Sequence, residues 1–245
     1  MNLHLKFICT VFLFSAGVFI TSCDILNNGP CLHGSGKSKT ETRDVASFTG
    51  VEMRVGGNVF VTAGPKAEVK VESFANLLPE IVTEVEGKTL VIKSTSCLDY
   101  NDNETNVYIS LPDIEQATLK TSGVLSIQTV ASTKPLQLSL TGSGTIKYTG
   151  NATVLKVQHS GSGDVELNGF TSNLETTLSG SGRVMGYFMH ADTAQVITSG
   201  SGHQQIWVNK VLDANISGSG NIYYRGNPSL VSKLTTGSGK VINDN

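Results

Sequence analysis

The commonest candidate for chemistry in this 245-residue chain is a glycine pair around one serine, in "LTGSGTI", "HSGSGDV", "LSGSGRV", "TSGSGHQ", "ISGSGNI" and "TTGSGKV". Successive backbone N–H groups at such sites can converge on an anion. Equally, glycine marks corners whose backbone angles or close coil-to-coil approach exclude a Cβ, and this second reading is the one expected here. "GSGKS" at 34–38 has the tail of a phosphate loop. That motif needs a glycine five residues before Gly36, where Cys31 stands, and a preceding buried strand, where "DILNNGP" stands. A linker or first turn is expected instead.

Other reactive residues are scattered. "CLDYNDNE" puts Asp99, Asp102 and Glu104 in one loop, but without the ligand spacing of a calcium loop, so a solvated acidic loop is expected. His33, His190 and His203 have no metal spacing, and neither Cys31 nor Cys97 has a CxxC or Cys-His partner; no metal or cofactor is expected. Tyr187, Trp207 and Arg225 stand at equivalent distances from their glycines, close to Phe188 and Tyr223. This aromatic strip either binds sugar rings or a protein partner, or covers the rod's third side. "DTA" at 192–194 resembles an acceptor for bacterial O-glycosylation, with Thr193 as its candidate. Scaffolds that cleave acidic polysaccharides need carboxylates clustered with Arg or Lys on one face. The outward columns here mix Thr, Gln, Lys, Glu and Ser, so a non-enzyme is expected, with a polysaccharide lyase or hydrolase as the alternative.

The elements that must carry these residues follow from a repeat. The first glycines fall at 123, 142, 161, 180, 200, 218 and 237, a spacing of 18–20 residues that a flexible linker has no reason to keep. Six residues before them lie Ala117, Leu136, Leu155, Leu174, Ala194, Leu212 and Val231, and the neighbouring column is polar. That period of two belongs to a strand with one face inward. A second short strand follows each glycine pair, with Ile146, Val165, Val184, Ile222 and Val241 in one column and Gln204 as the exception. His159 falls on an inward column and is expected in the core. The expected fold is all-β: a single-domain parallel β-helix of about 19 residues per coil, right-handed by prior, with an irregular N-terminal capping region and one helical turn near Pro79.

Export and charge bound the function. "MNLHLK" and the apolar run "FICTVFLFSAGVFI" read as a signal peptide rather than a bilayer span. The run ends in "ITSC", which resembles a lipobox, so residues 1–22 are expected to be removed and Cys23 to carry lipid. Formal net charge is −2 and no basic cluster interleaves with aromatic residues, so nucleic acid is set aside. Cys31 and Cys97 would remain in a compartment that permits disulfides and are candidates to pair.

"HGSGKSKTETRDVASFTGVEMRVGGNVFVTAG", "IVTEVEGKTLVIKS", "VYISLPDIEQATLKTSG" and the GSG coils together resemble the bacterial auto-transporter adhesin, head GIN domain family, over roughly residues 34–242. The resemblance implies a parallel β-helix on a secreted or lipid-anchored protein, with adhesion as the named function and no catalytic residues. The expected organisation is a signal peptide at 1–22, a lipid-anchored linker at 23–40 and the β-helix at 41–245. The expected role is a non-catalytic envelope lipoprotein, at the outer membrane, that binds a glycan or an envelope protein; a structural or homodimerising module is the further alternative.

Overall fold

Alternating apolar and polar residues become strands along almost the whole of the computed structural model, which describes residues 31–99, 105–130, 132 and 134–245. Cys23 and the leader, together with Asp102 and Glu104, lie outside these residues. Cys31–Asn245 is a compact unit with its own core. Its strands are β1 (Ser38–Arg43), β2 (Gly50–Met53), β3 (Asn58–Ala63), β4 (Glu68–Phe74), β5 (Ile81–Glu86), β6 (Thr89–Ser94), β7 (Asn106–Leu111), β8 (Gln116–Leu119) and β9 (Val124–Gln128). They continue with β10 (Leu136–Leu140), β11 (Thr145–His159), β12 (Asp164–Leu178), β13 (Arg183–Thr198), β14 (His203–Ile216), β15 (Asn221–Arg225), β16 (Leu230–Thr235) and β17 (Val241–Asn243). The helical turn near Pro79 is a 3-10 turn, Leu78–Glu80.

From β8 onward the chain is a parallel β-solenoid whose coils stack in sequence order. Leu136, Leu155, Leu174, Ala194 and Leu212 form one ladder, and Ile146, Val165, Val184, Gln204 and Ile222 another; all are buried. One step falls outside the spacing of 18–20 residues. Ala117 pairs with Leu138 and Val124 with Thr145, so Gly123 lies under Gly144 and the first coil takes 21 residues rather than 19.

The glycine corners are required by closeness, not by backbone angle. None of the six GSG pairs has a positive φ, yet a Cβ on Gly161 would lie 1.9 Å from the carbonyl oxygen of Gly142, and one on Gly163 2.0 Å from that of Gly144. At five of the six pairs the N–H of the second glycine is spent on the coil before it, as where Gly182 donates to Gly161 (3.3 Å), Gly202 to Gly180 (3.2 Å) and Gly220 to Gly200 (3.0 Å). These amides therefore serve as rungs between coils and do not face a ligand.

Each end of the solenoid is closed differently. At the N-terminal end the chain order is not the stacking order: β2 and β3 lie between the β6–β7 coil and the β8–β9 coil. Antiparallel strands then finish the edge, β5 against β6, and β4 against β7 with β1 outside it. The outermost β1, "SKTETR", is almost entirely exposed and charged, which discourages pairing with another chain. Beside it a Cys31–Cys97 disulfide and hydrogen bonds between Leu32 and the backbone of Cys97 and Asp99 tie the start of the unit down. At the other end the inward columns turn polar. Lys233 and Asn243 take the places of Ala214 and Tyr224, and the Lys233 ammonium lies 5.3 Å from the Tyr224 ring centroid.

His159 is buried between Leu140 and Leu178 of adjacent coils, and neither ring nitrogen has a hydrogen-bond partner. Burial pushes its pKa down, against a weaker pull from Asp164, so the folded ring is neutral.

Two predictions follow from the core. Gly161→Ala should lower the unfolding free energy by roughly 1–3 kcal/mol through overpacking, whereas the exposed Ser162→Ala should change it by less than about 0.5 kcal/mol; matched urea melts compare them. Because the unfolded His159 takes up a proton near pH 6.5 and the folded one resists it, stability should fall as pH drops below about 6.5. His159→Leu should flatten part of that slope, read from melts across pH 5–8.

Candidate functional site

Outward side chains are read off the third corner, where β11 to β14 run on without a break from one face to the next. One column there is Asn151, Phe170, His190, Trp207 and Arg225, each in register with the next. Behind it Ala152, Thr171, Ala191 and Val208 point inward and are buried. Beyond these comes a polar set, Thr153, Ser172, Asp192 and Asn209. The two columns wall a groove of about 450 Å³ that crosses several coils, with Ala152 and Thr171 on its floor.

Three rings of the first column stack. Phe170 and His190 have centroids 5.5 Å apart, and His190 and Trp207 4.6 Å apart, tilted by 34° and 36°. The Trp207 Nε1–H donates to Asn209 at 3.1 Å, which fixes the inner end of the stack. Phe170 ends it on the other side, where the column continues with the smaller Asn151, and the ring stays 62% exposed. In the opposite wall Lys210 holds Asp192 at 2.9 Å and keeps its carboxyl below the ordinary range. Thr193 is half-buried, and its hydroxyl donates to Asn173 Oδ1 at 2.6 Å.

The strip expected from Tyr187, Trp207, Tyr223 and Arg225 is not one surface. Counting from the glycines sets Tyr187 level with Trp207, but residues 187–189 have no partner in β14, and His190 pairs with Trp207 instead. Tyr187 folds towards the C-terminal coil: its hydroxyl donates to Asp244 at 2.7 Å, and Arg225 sits 4.2 Å over its ring while bonding Asp244 at 2.9 Å. Burial first, and then the bond to Asp244, raise the Tyr187 pKa. Tyr223 meets His203 edge-on at 6.1 Å. Phe170 and His190 were missed because they stand nine and ten residues after their glycines, against seven for Trp207 and Arg225. The irregular coil lengths at this corner were the available signal.

A second groove, of about 330 Å³, is more apolar, with Leu167, Met185 and the exposed Phe188 on its walls beside Lys147. Charged side chains do cluster elsewhere. Glu52 meets Arg54 and Lys120, and Lys93 meets Glu84 and Glu86 on the neighbouring strands. Partial burial works to raise the Glu52 pKa, but hydrogen bonds from Lys120 and Arg54 outweigh it; a bond from Lys93 leads in lowering that of Glu84. Both are held ionised, so neither is a ready proton donor. Asp99 of the acidic loop bonds His33 at 2.9 Å, and no metal-holding group of His, Cys, Asp and Glu occurs among the described residues.

The family described as "Putative auto-transporter adhesin, head GIN domain" matches residues 47–228. No curated protein matches the chain. Among solved structures, a putative adhesin from Bacteroides fragilis is similar with a TM-score of 0.74 at 21% identity, covering 86% of this chain and 99% of its own. A "Putative lipid binding protein" from Parabacteroides distasonis reaches 0.65 at 20% identity over 86% and 99%, and a putative adhesin from the same organism 0.60 at 19% over 86% and 98%. At such identities the likeness is one of fold.

The Tyr187 clasp is testable on its own. Asp244→Asn should move the Tyr187 titration downward yet leave it above pH 10, because burial persists; NMR of ring-labelled tyrosine follows this one residue against the other five.

Proposed function

The chain belongs to the auto-transporter adhesin, head GIN domain family, and from that premise we propose that it is a non-catalytic binding module of the cell envelope. Its lipid anchor is Cys23, and it offers the third corner of the solenoid to a partner on a cell or envelope surface. The observation that carries this reading is the groove beside Phe170. The rings of Trp207 and Tyr187 are stacked or clasped and the exposed Phe188 belongs to the more apolar groove, whereas Phe170 keeps most of its surface open next to a concave, polar wall. The leader ending in "ITSC" and the Cys31–Cys97 pair agree with an exported protein.

Lipid binding is a second reading, favoured by the apolar groove at Leu167, Met185 and Phe188. It predicts that a fluorescent fatty acid binds the purified protein and is released by Phe188→Asp. Polysaccharide cleavage is not proposed, since Glu52, Glu84 and Glu86 of the charged cluster are engaged in ion pairs.

The main reading is checked with labelled residues 23–245 carrying Cys23→Ser, titrated onto intact bacterial cells and envelope fractions. Saturable binding that unlabelled protein competes away is expected. A rod that binds no cell or envelope fraction would sink the proposal. Labelled palmitate should enter the full chain and be lost in Cys23→Ser.

A further inference from the structure

We infer that the third-corner groove is a subsite for a linear, uncharged oligosaccharide, with the free face of Phe170 as its stacking platform; this rests on the binding-module reading and names the ligand class for it.

Three features of the groove select that class. The first is its direction. Equivalent wall residues, Asn151, Phe170 and His190 on one side and Thr153, Ser172 and Asp192 on the other, are one coil apart. A coil step is about 4.8 Å, close to the length of one pyranose unit. A wall that offers one outward side chain per coil at that interval suits a ligand that repeats at the same interval.

The second is chemical. The walls hold amides and hydroxyls, from Asn151, Thr153, Ser172 and Asn209, which can donate to or accept from sugar hydroxyls. The one carboxylate, Asp192, is neutralised by Lys210 at 2.9 Å, so the groove carries no net charge to recruit an acidic or basic chain. Phe170 adds an apolar ring face, 62% exposed, of the kind that packs against the C–H face of a sugar. Its ring is backed by His190 and Trp207 and cannot tilt away without breaking that stack.

The third is what the backbone withholds. A peptide would dock most simply by adding a strand, but at the groove Phe170 and Thr171 of β12 and His190 and Ala191 of β13 are paired to coils on both sides, and Ala152 of β11 is bridged to Ser132. A lipid chain would need a continuous apolar lining, and this groove is walled by polar groups.

Trp207 is the only tryptophan and stacks on the ring that backs Phe170, so its emission reports on the site. Purified protein is titrated with cellohexaose, xylohexaose, mannohexaose and maltohexaose, and with an oligogalacturonate as the charged control. At least one neutral hexaose should bind, change the Trp207 emission, and hold nearly equal affinity at low and high salt. Phe170→Ala should weaken it about tenfold with an unchanged melting temperature, since the ring is exposed, while Phe170→Trp should retain it. Failure of every neutral hexaose, binding indifferent to Phe170→Ala, or preference for the oligogalacturonate would each overturn the inference. If cell binding persists in any of those cases, the binding-module reading stands without the sugar; if cell binding is absent too, both fall.

Discussion

The approach of backbone to backbone at the GSG corners governs this molecule. At 1.9–2.2 Å from the carbonyl oxygen of the coil beneath, no Cβ can be accommodated at Gly161, Gly180, Gly200, Gly218 or Gly237. That closeness aligns the two flanking strands of every coil, and at five of the six pairs the second glycine's N–H then bonds the coil before it. Inward Leu, Ile and Val columns follow from that alignment, each burying apolar surface worth about 1.5–3 kcal/mol per residue. A solenoid of this kind stores its tolerance elsewhere, because two of its sides are constrained and one is not.

The unconstrained side is the third corner. Coils differ there in length, which breaks the alternation by bulges between Glu166 and Asn168 and between Gly186 and His190. Irregularity of this sort re-aims side chains. It releases Tyr187 to clasp Asp244 and Arg225, and it brings Phe170, His190 and Trp207 into one stack beside a groove. The most regular part of the chain thus provides rigidity, and its least regular part provides the surface with recognisable chemistry. Functional groups on rigid, laterally bonded strands hold their spacing better than groups on loops, which suits a repeating ligand.

Ends are the standing hazard of an open parallel stack. This chain meets it at the start with antiparallel strands and a charged outer strand, and at the finish with polar residues in place of core ones, notably Lys233 and Asn243. The buried His159 and Gln204 show that the interior also tolerates polar groups, although both ring nitrogens of His159 and the Oε1 of Gln204 have no partner. Such groups weaken the rod rather than build a site, since they face leucines or their own coil.

By itself the sequence determined the solenoid, the inward columns at 136, 155, 174 and 212, the burial of His159, and the family. Each of these is a local, periodic property: close packing of coils demands glycine at one interval and apolar residues at another, and both intervals are visible in a single chain. What it could not determine was register where the interval changes. Gly123 is spaced as if it belonged under Gly142 but lies under Gly144, and Tyr187 is spaced like Trp207 but is bulged out of its ladder. Tertiary structure alone decided that β2 and β3 sit between the β6–β7 coil and the β8–β9 coil, and that Phe170, His190 and Trp207 meet. Those contacts depend on which coil stacks on which and on how each insertion is absorbed, and a count of residues along the chain carries neither.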